Sequence, residues 1–295
     1  MRSEAVILAA SKTRSADFIA LAKPRLNVLV VASTLVGYSM AAFEGINLLR
    51  LLATLVGTGL VAGGASAFNQ VIERDLDALM RRTRMRPMAD RRLQPFEGLL
   101  FAFALSITGL LILAAFTNVL AAEVALATLI SYVLVYTPLK TRSSFSTVIG
   151  AIPGALPPVI GWAAARGELR IEAWVLFGIV FLWQLPHFLA IAWIYRDDYA
   201  RAGFPMLAVI EPDGRSTGRQ SLIYAAALLP LSLAPTLMNL AGNVYFAGAL
   251  ALGLAYIWLA WRFSRSIAVI DARRLFFASI TYLPLVWILM IADKR

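Results

Sequence analysis

The sequence predicts an all-α membrane protein that crosses the bilayer nine times. Three observations predict this class: the 295 residues are 60% hydrophobic and only 15% charged, the mean hydropathy is +0.75, and the apolar residues fall into long runs. Ordinary soluble domains carry about 45–50% apolar and about 25% charged residues. A compact soluble fold cannot bury so much apolar surface, so the composition excludes a soluble enzyme and a disordered chain.

Nine apolar runs, nearly free of charge, reach the length of about 18 residues that a transmembrane helix needs. Backbone polar groups find no water in hydrocarbon, so each run must satisfy its own hydrogen bonds as a helix. The predicted spans are 26–43, 48–68, 97–116, 118–137, 145–164, 171–195, 220–238, 243–262 and 275–292. Together they predict a single polytopic domain over residues 1–295.

The positions of the basic residues predict the orientation. All but five of the 27 Lys and Arg residues lie in the N-terminal segment or in the loops after the second, fourth, sixth and eighth spans. This asymmetry is typical of cytoplasmic loops, so the N-terminus is predicted to be cytoplasmic.

Residues 1–17 are expected to form an amphipathic lead-in along the membrane surface. The lack of a long Arg- and Ser-rich leader favours a bacterial inner membrane.

The charge and the rare residue types exclude further classes of protein. Basic loops beside anionic lipid explain the net charge of +10, so we expect the lipid bilayer and no nucleic acid as a partner. The absence of cysteine excludes a disulfide framework, a thiolate zinc site and an iron–sulfur cluster. The single histidine excludes a His-rich metal site.

A first polar cluster follows the second span. Asn69, Glu73 and Asp77 are spaced i, i+4, i+8, which places an amide and two carboxylates on one helix face. Such oxygens suit Mg²⁺, which takes few protein carboxylates and keeps places for water and phosphate. Arg82 and Arg86 follow directly, and guanidinium groups match phosphate oxygens. The pattern fits a metal–diphosphate site, and a solvated, salt-bridged loop is the alternative that spacing alone leaves open.

A second polar cluster lies at the end of the sixth span. Pro186 is expected to kink that helix, and Gln184 and His187 beside it are candidates for an internal cavity. A helix-packing hydrogen bond is the alternative role of His187. Tyr195, Asp198 and Tyr199 share a helical face by their i, i+3, i+4 spacing, and Asp198 could complete a second carboxylate wall.

Lys140 follows the fourth span, on the same predicted side of the membrane as both polar clusters. It is either a lysine that extends from a helix end to the membrane surface or a cation that binds phosphate.

These residues carry a family resemblance over nearly the whole chain. The chain resembles the UbiA superfamily of intramembrane prenyltransferases, and within it the protoheme IX farnesyltransferases. The matching blocks are Lys23-Pro24-Arg25, the stretch from Asn69 to Pro87, Tyr136 to Lys140, Ile149 to Pro158, Trp183 to Phe188, and Tyr195 to Met206. Glu73 at the middle acidic position and a second cluster with Tyr and His favour this subfamily over quinone-type members. Ser146 departs from it, because similar sequences often have Asn there.

The resemblance implies nine helices around a central cavity with cytoplasmic cap loops. It implies transfer of the farnesyl group of farnesyl diphosphate to a vinyl group of haem b, giving haem O, with the active site facing the cytoplasm. Mg²⁺ would be held by Asn69, Glu73, Asp77 and Asp198, the diphosphate by Arg82, Arg86 and Lys140, and haem by His187, Gln184 and Tyr195. Glu73, Asp77 and Lys140 would be the catalytic set. An association with haem A synthase is a further expectation.

Two alternatives compete with this interpretation. A quinone-precursor prenyltransferase would use a phenolic acceptor on the same fold. A secondary transporter also contains intramembrane polar residues and broken helices, but its site would lie near the membrane midplane rather than at one face.

Overall fold

The computed structural model describes residues 13–295, and this part of the chain is built from helices with no β-strand. The expected amphipathic lead-in falls largely on residues 1–12, which lie outside the described part. The helices in chain order are α1 (Arg14–Leu21), α2 (Pro24–Ala41), α3 (Leu48–Ile72), α4 (Arg74–Leu79), α5 (Pro95–Phe116), α6 (Val119–Ile130), a π-helical segment (Ser131–Tyr136), α7 (Thr137–Leu139), α8 (Ser146–Ala155), α9 (Pro157–Arg166), α10 (Ile171–Ile194), α11 (Arg196–Arg201), α12 (Leu207–Ile210), α13 (Arg215–Leu237), α14 (Asn243–Ser266) and α15 (Val269–Ala292).

Within residues 13–295, eight helical stretches are each long and apolar enough to cross a membrane. They are α3, α5, α6 with its continuation to Leu139, α8 with α9, α10, α13, α14 and α15. The pair α1 and α2, bent by 42°, gives a ninth when taken as one span. Each of the nine overlaps a predicted span, so the predicted multi-pass all-α fold is confirmed. The cytoplasmic position of the N-terminus stays a prediction.

Several helix starts follow from local sequence. The side chains of Asn47 and Asn118 accept hydrogen bonds from backbone N–H groups in the first turns of α3 and α6, both at 2.9 Å. α5 begins at Pro95, whose fixed φ suits the first helical turn. Such caps satisfy N–H groups that have no partner inside the helix.

Three stretches of the chain contain irregularities that periodicity alone does not predict. The first polar cluster is divided at Glu73, where α3 ends and α4 begins. The π-helical segment comes just before Pro138, whose missing N–H and bulky ring disfavour a regular turn. The consecutive prolines Pro157 and Pro158 start a new helix after Leu156. By contrast, α10 continues without interruption through Pro186.

Small residues let the helices around the cavity approach closely. A Cβ atom built on Gly37 of α2 would lie 1.9 Å from the backbone oxygen of Pro158 in α9. One built on Gly161 would lie 2.0 Å from the backbone oxygen of Thr34. Any side chain at these two positions would force the helices apart, so α2 and α9 depend on glycine for their contact.

Candidate active site

A cavity of about 440 Å³ lies between the helices, with walls from α2, α3, α6, α8, α10 and α15 and from the segment after α4. Its polar end is formed at the ends of helices and in the loop after α4. The polar side chains there are Lys23, Asn69, Glu73, Asp77, Arg82, Arg86, Lys140 and Tyr199. Farther inside, the walls are mainly apolar, with Leu29, Val30, Pro157, Val180 and Leu283 among them.

Asn69, Glu73 and Asp77 all line this cavity, although the helix is divided at Glu73. The Glu73 N–H donates to the Asn69 carbonyl at 2.9 Å, and the Asp77 N–H donates to the Glu73 carbonyl at 2.8 Å. These two bonds preserve helical spacing across the break, which keeps the three side chains on one face. All three residues are buried, at 4%, 2% and 1% exposure.

Each carboxylate faces a cation from a different part of the chain. The Lys140 ammonium lies 3.0 Å from both oxygens of Glu73. The Arg86 guanidinium donates to Asp77 Oδ2 at 2.6 Å. Asp77 Oδ1 is buried without a hydrogen-bond partner among residues 13–295. An acceptor left open in this way is the kind of atom that a bound cation would satisfy.

Cations outnumber carboxylates among the cavity-lining residues. Lys23, Arg82, Arg86 and Lys140 line the cavity, whereas Glu73 and Asp77 are the acidic side chains among its lining residues in the described chain. An enclosed surplus of positive charge with low-dielectric walls attracts a multiply charged anion. The surplus of positive charge therefore favours a diphosphate-like anion. The two carboxylates favour a divalent cation bound together with that anion.

Arg82 is held by two tyrosines of the second polar cluster. Its guanidinium donates to the Tyr199 hydroxyl at 3.1 Å and lies 5.1 Å from the ring centroid of Tyr195. Tyr199 lines the cavity and is buried, whereas Tyr195 is 40% exposed and is not among the lining residues. The contact of Tyr195 is thus with Arg82, and its haem contact stays a prediction.

Asp198 does not line the cavity with Glu73 and Asp77. It forms an ion pair with Arg201 in its own short helix. Within residues 13–295, no group of three His, Cys, Asp or Glu side chains is placed to hold a metal ion by itself. The structure therefore brings Asn69, Glu73 and Asp77 together without Asp198, and the role of Asp198 in a metal site stays a prediction.

Gln184 and His187 both line the apolar part of the cavity. The Gln184 amide donates to the backbone oxygens of Val180 and Ala151, at 3.0 and 3.3 Å. A Cβ atom on Gly154 would lie 2.0 Å from Gln184 Oε1, so the glycine provides the space for this side chain. His187 Nδ1 lies 2.6 Å from the Ser279 hydroxyl oxygen. Both polar groups predicted to face a cavity therefore do so.

Two features of the site do not appear among the residues predicted for it. Lys23 lines the cavity and its ammonium donates to Asn69 Oδ1 at 3.3 Å. Its backbone has a φ of 47°, a left-handed conformation that the link between α1 and α2 imposes just before Pro24. Tyr132 and Tyr136, one turn apart in the π-helical segment, also line the cavity. In the sequence, only the Lys23-Pro24-Arg25 block points to Lys23. The i, i+4, i+8 spacing of Tyr132, Tyr136 and Lys140 points to the two tyrosines.

The residues at the polar end fit a magnesium–diphosphate complex. Mg²⁺ takes one or two carboxylates and keeps positions for phosphate and water. Glu73 and Asp77 supply two carboxylates and Asn69 supplies an amide oxygen. Asp77 Oδ1, which has no partner in the described part of the chain, leaves one acceptor free.

Comparison with known proteins identifies the family of this chain. Residues 30–281 match the model of the UbiA prenyltransferase family. A protein of Solibacter usitatus named protoheme IX farnesyltransferase is 47% identical over 287 residues, covering 94% of this chain and 98% of that protein.

Solved structures confirm the fold at low sequence identity. A structure of digeranylgeranylglyceryl phosphate synthase gives a TM-score of 0.79 at 15% identity, covering 94% of this chain and 97% of the other. A UbiA homologue from Archaeoglobus fulgidus, solved with GPP and Mg²⁺, gives a TM-score of 0.66 at 16% identity, covering 93% of this chain and 99% of the other. Family model, sequence relatives and fold agree, and the chain belongs to the UbiA prenyltransferase family, among its protoheme IX farnesyltransferases.

Proposed function

We propose that this membrane protein transfers the farnesyl group of farnesyl diphosphate to a vinyl group of haem b, giving haem O. The observation that carries the proposal is a single cavity that joins a cation-rich polar end to an apolar interior containing His187. A prenyl diphosphate has the same two parts, a charged head and a hydrocarbon tail. The relatives named protoheme IX farnesyltransferase identify the acceptor.

The polar end would bind the diphosphate and stabilise it as the leaving group. Lys140, Arg82 and Arg86 place cationic donors around one space, and Lys23 adds a fourth. When the allylic C–O bond breaks, its electron pair leaves with the diphosphate, and negative charge grows on those oxygens. Donors already fixed in position stabilise that charge without reorganising at the moment of reaction.

Asn69, Glu73 and Asp77 would hold Mg²⁺ against the diphosphate, with Asp198 as a fourth group if α11 moves toward the cavity. A bound Mg²⁺ supplies further neutralisation of the leaving group. The ion pairs of Glu73 with Lys140 and of Asp77 with Arg86 keep the carboxylates and the cations beside each other. The carboxylates of Glu73 and Asp77 can therefore contact the metal while Lys140 and Arg86 contact the diphosphate of the same complex.

The apolar interior would hold the farnesyl chain and the porphyrin and exclude water from the carbocation-like farnesyl group. The haem vinyl π electrons form the new C–C bond to the farnesyl C1 carbon. One water then adds to the vinyl carbon next to the porphyrin ring and loses a proton, which gives the hydroxyethylfarnesyl arm. Gln184 and His187 are the polar groups in this wall that could orient the porphyrin.

The proposed setting is a bacterial inner membrane with the polar end toward the cytoplasm. The basic residues that follow alternate spans support this orientation. Farnesyl diphosphate would enter from the cytoplasm and haem b from the membrane. An association with haem A synthase, which would consume haem O, remains part of the proposal.

The direct test supplies the purified protein with Mg²⁺, farnesyl diphosphate and haem b, and analyses the products by mass spectrometry. We expect a haem that carries one farnesyl group and one added water. Parallel reactions replace haem b by 4-hydroxybenzoate, which a quinone-precursor enzyme would prenylate. Prenylation of the phenol alone, or flux of the substrate across liposomes without any product, would refute the proposal.

A further inference from the structure

His187 is held by contacts with α15 as well as by contacts within its own helix α10. Its ring stacks on Trp183 with centroids 5.4 Å apart, and it lies 5.0 Å from the ring centroid of Phe276. Ser279 of α15 holds both members of the stacked pair. Its hydroxyl oxygen lies 2.6 Å from His187 Nδ1, and its backbone oxygen accepts from the indole nitrogen of Trp183 at 2.8 Å.

The contacts of the Ser279 hydroxyl favour one of the two neutral tautomers of His187. This hydroxyl donates its single hydrogen to the Phe276 carbonyl at 2.5 Å. A hydroxyl that donates to this carbonyl accepts from His187, and this arrangement places a hydrogen on Nδ1. In the neutral imidazole, Nε2 then carries a lone pair and no hydrogen.

Nε2 is the nitrogen that remains available to a ligand. It forms no hydrogen bond to any residue in the range 13–295, and it is not sealed inside the protein. His187 lines the cavity, and because Nδ1 is turned to Ser279, we infer that Nε2 is the ring nitrogen that faces this space. In the same range no carboxylate forms an ion pair with the ring, so no neighbouring charge stabilises an imidazolium.

The lone pair on Nε2 determines which groups of the haem this nitrogen can bind. Nε2 without hydrogen cannot donate to a propionate of haem, but it can bind a metal centre. We propose that Ser279 is a positioning residue that holds His187 in the Nδ1-protonated tautomer, so that Nε2 is a ligand for the iron of the haem b substrate. This inference rests on the proposed function, because it needs haem b in the cavity.

Hydrogen bonding of the second ring nitrogen commonly orients a metal-binding histidine, and loss of such a partner weakens metal affinity about 10- to 100-fold. Iron ligation would hold the porphyrin against α10 and thereby fix which part of it reaches the farnesyl chain. Ser279 is not among the residues that line the cavity, so its effect would pass through His187.

The test measures binding of three porphyrins to the full-length protein in detergent: haem b, metal-free protoporphyrin IX and the dimethyl ester of haem b. For His187→Ala, we expect weaker binding of haem b and of the ester, loss of the imidazole signature from the haem spectrum, and wild-type binding of protoporphyrin IX. Ser279→Ala should weaken haem b binding about 10- to 100-fold, and Ser279→Thr, which keeps the hydroxyl, should restore it.

A matched control is Ser221→Ala, since Ser221 is also buried and donates to a backbone oxygen in its own helix, away from the cavity. It should leave all three affinities unchanged. If the effect of His187→Ala disappears with the dimethyl ester, the ring binds a propionate and the inference is wrong. Wild-type binding and spectra of haem b in either His187→Ala or Ser279→Ala would equally overturn it. Because haem O formation by the wild-type protein is measured separately, failure of the ligand assignment is distinguishable from failure of the proposed function.

Discussion

Lys140 and Glu73 stand 67 positions apart in the chain, and the Lys140 ammonium lies 3.0 Å from each oxygen of the Glu73 carboxylate. Both side chains are largely buried, at 12% and 3% exposure. This ion pair joins the end of α3 to the segment after α7. It also places a predicted metal-binding carboxylate in contact with a predicted diphosphate-binding cation.

Lys140→Gln should therefore damage both stability and activity. Removal of one partner of a buried ion pair leaves an uncompensated charge, at a cost of about 3–5 kcal/mol. We expect a lower thermal unfolding midpoint in detergent and a large loss of farnesyl transfer. The double variant Lys140→Gln/Glu73→Gln should recover the unfolding midpoint but not the activity. Recovery of activity in the double variant would show that the pair is only structural.

Asp17→Asn should weaken binding of farnesyl diphosphate, although Asp17 does not line the cavity. The Arg92 Nε atom lies 3.0 and 3.1 Å from the two Asp17 oxygens, and its guanidinium also donates to the Met85 backbone oxygen. These contacts anchor to α1 the loop that carries Arg82 and Arg86. Loss of a charged hydrogen bond costs about 1.5 kcal/mol, or about tenfold in affinity.

The measurement for Asp17→Asn is the KM for farnesyl diphosphate, with Asp213→Asn as the control. Asp213 forms an exposed pair with Arg215 in another loop. An unchanged KM in Asp17→Asn, with normal folding, would show that the Arg92 anchor does not position the cationic loop.

Tyr199→Phe should show how much the hydrogen bond from Arg82 to the Tyr199 hydroxyl contributes, apart from the contact of Arg82 with the tyrosine rings. The substitution keeps the ring and removes the hydroxyl that accepts from Arg82 at 3.1 Å. We expect a loss of about 1–2 kcal/mol in transition-state stabilisation, measured as kcat/KM for farnesyl diphosphate. Tyr195→Phe keeps the ring beside Arg82 and removes a hydroxyl that does not bind it, so it should behave as wild type. Equal effects of the two variants would contradict this assignment.

Gly37→Ala should destabilise the fold because its Cβ would meet rigid backbone. The three nearest atoms, at 1.9–2.7 Å, all belong to the backbone of Pro158. Overpacking of this kind costs about 1–3 kcal/mol. Gly59→Ala is the matched control in a helix interior, since the nearest atom there is a Val31 methyl group at 3.4 Å. The thermal unfolding midpoint should fall for Gly37→Ala and stay level or rise for Gly59→Ala, and a reversed order would refute the packing argument.

The sequence predicted best what depends on periodicity. Length and hydropathy located the nine spans, and the i, i+4, i+8 spacing placed Asn69, Glu73 and Asp77 on one face, where the structure has them. Pairing across the fold was not predictable, because the contact of Lys140 with Glu73 depends on how distant helices pack. Lys23 was missed because its position follows from a left-handed turn between two helices rather than from a helical face.

The second polar cluster shows where spacing alone is insufficient. Tyr195, Asp198 and Tyr199 share a face by count, yet only Tyr199 lines the cavity. α10 ends at Ile194, and Tyr195 has non-helical backbone angles, φ −111° and ψ 23°, so α11 begins as a separate helix with its own direction. Asp198 then pairs with the nearest cation, Arg201, on the same short helix.

The most direct test of the central claim compares Asp77→Ala with Asp75→Ala in Mg²⁺-dependent haem O formation. Asp77 is buried in the cavity and its side chain is 1% exposed, whereas that of Asp75, two residues away, is 81% exposed and pairs with Arg74. We expect Asp77→Ala to lower kcat by about 10²–10³-fold, the scale for loss of one fixed electrostatic group, and Asp75→Ala to remain near wild type. Haem O formation by Asp77→Ala at the wild-type rate and with the wild-type Mg²⁺ dependence would contradict a metal–diphosphate site at this position.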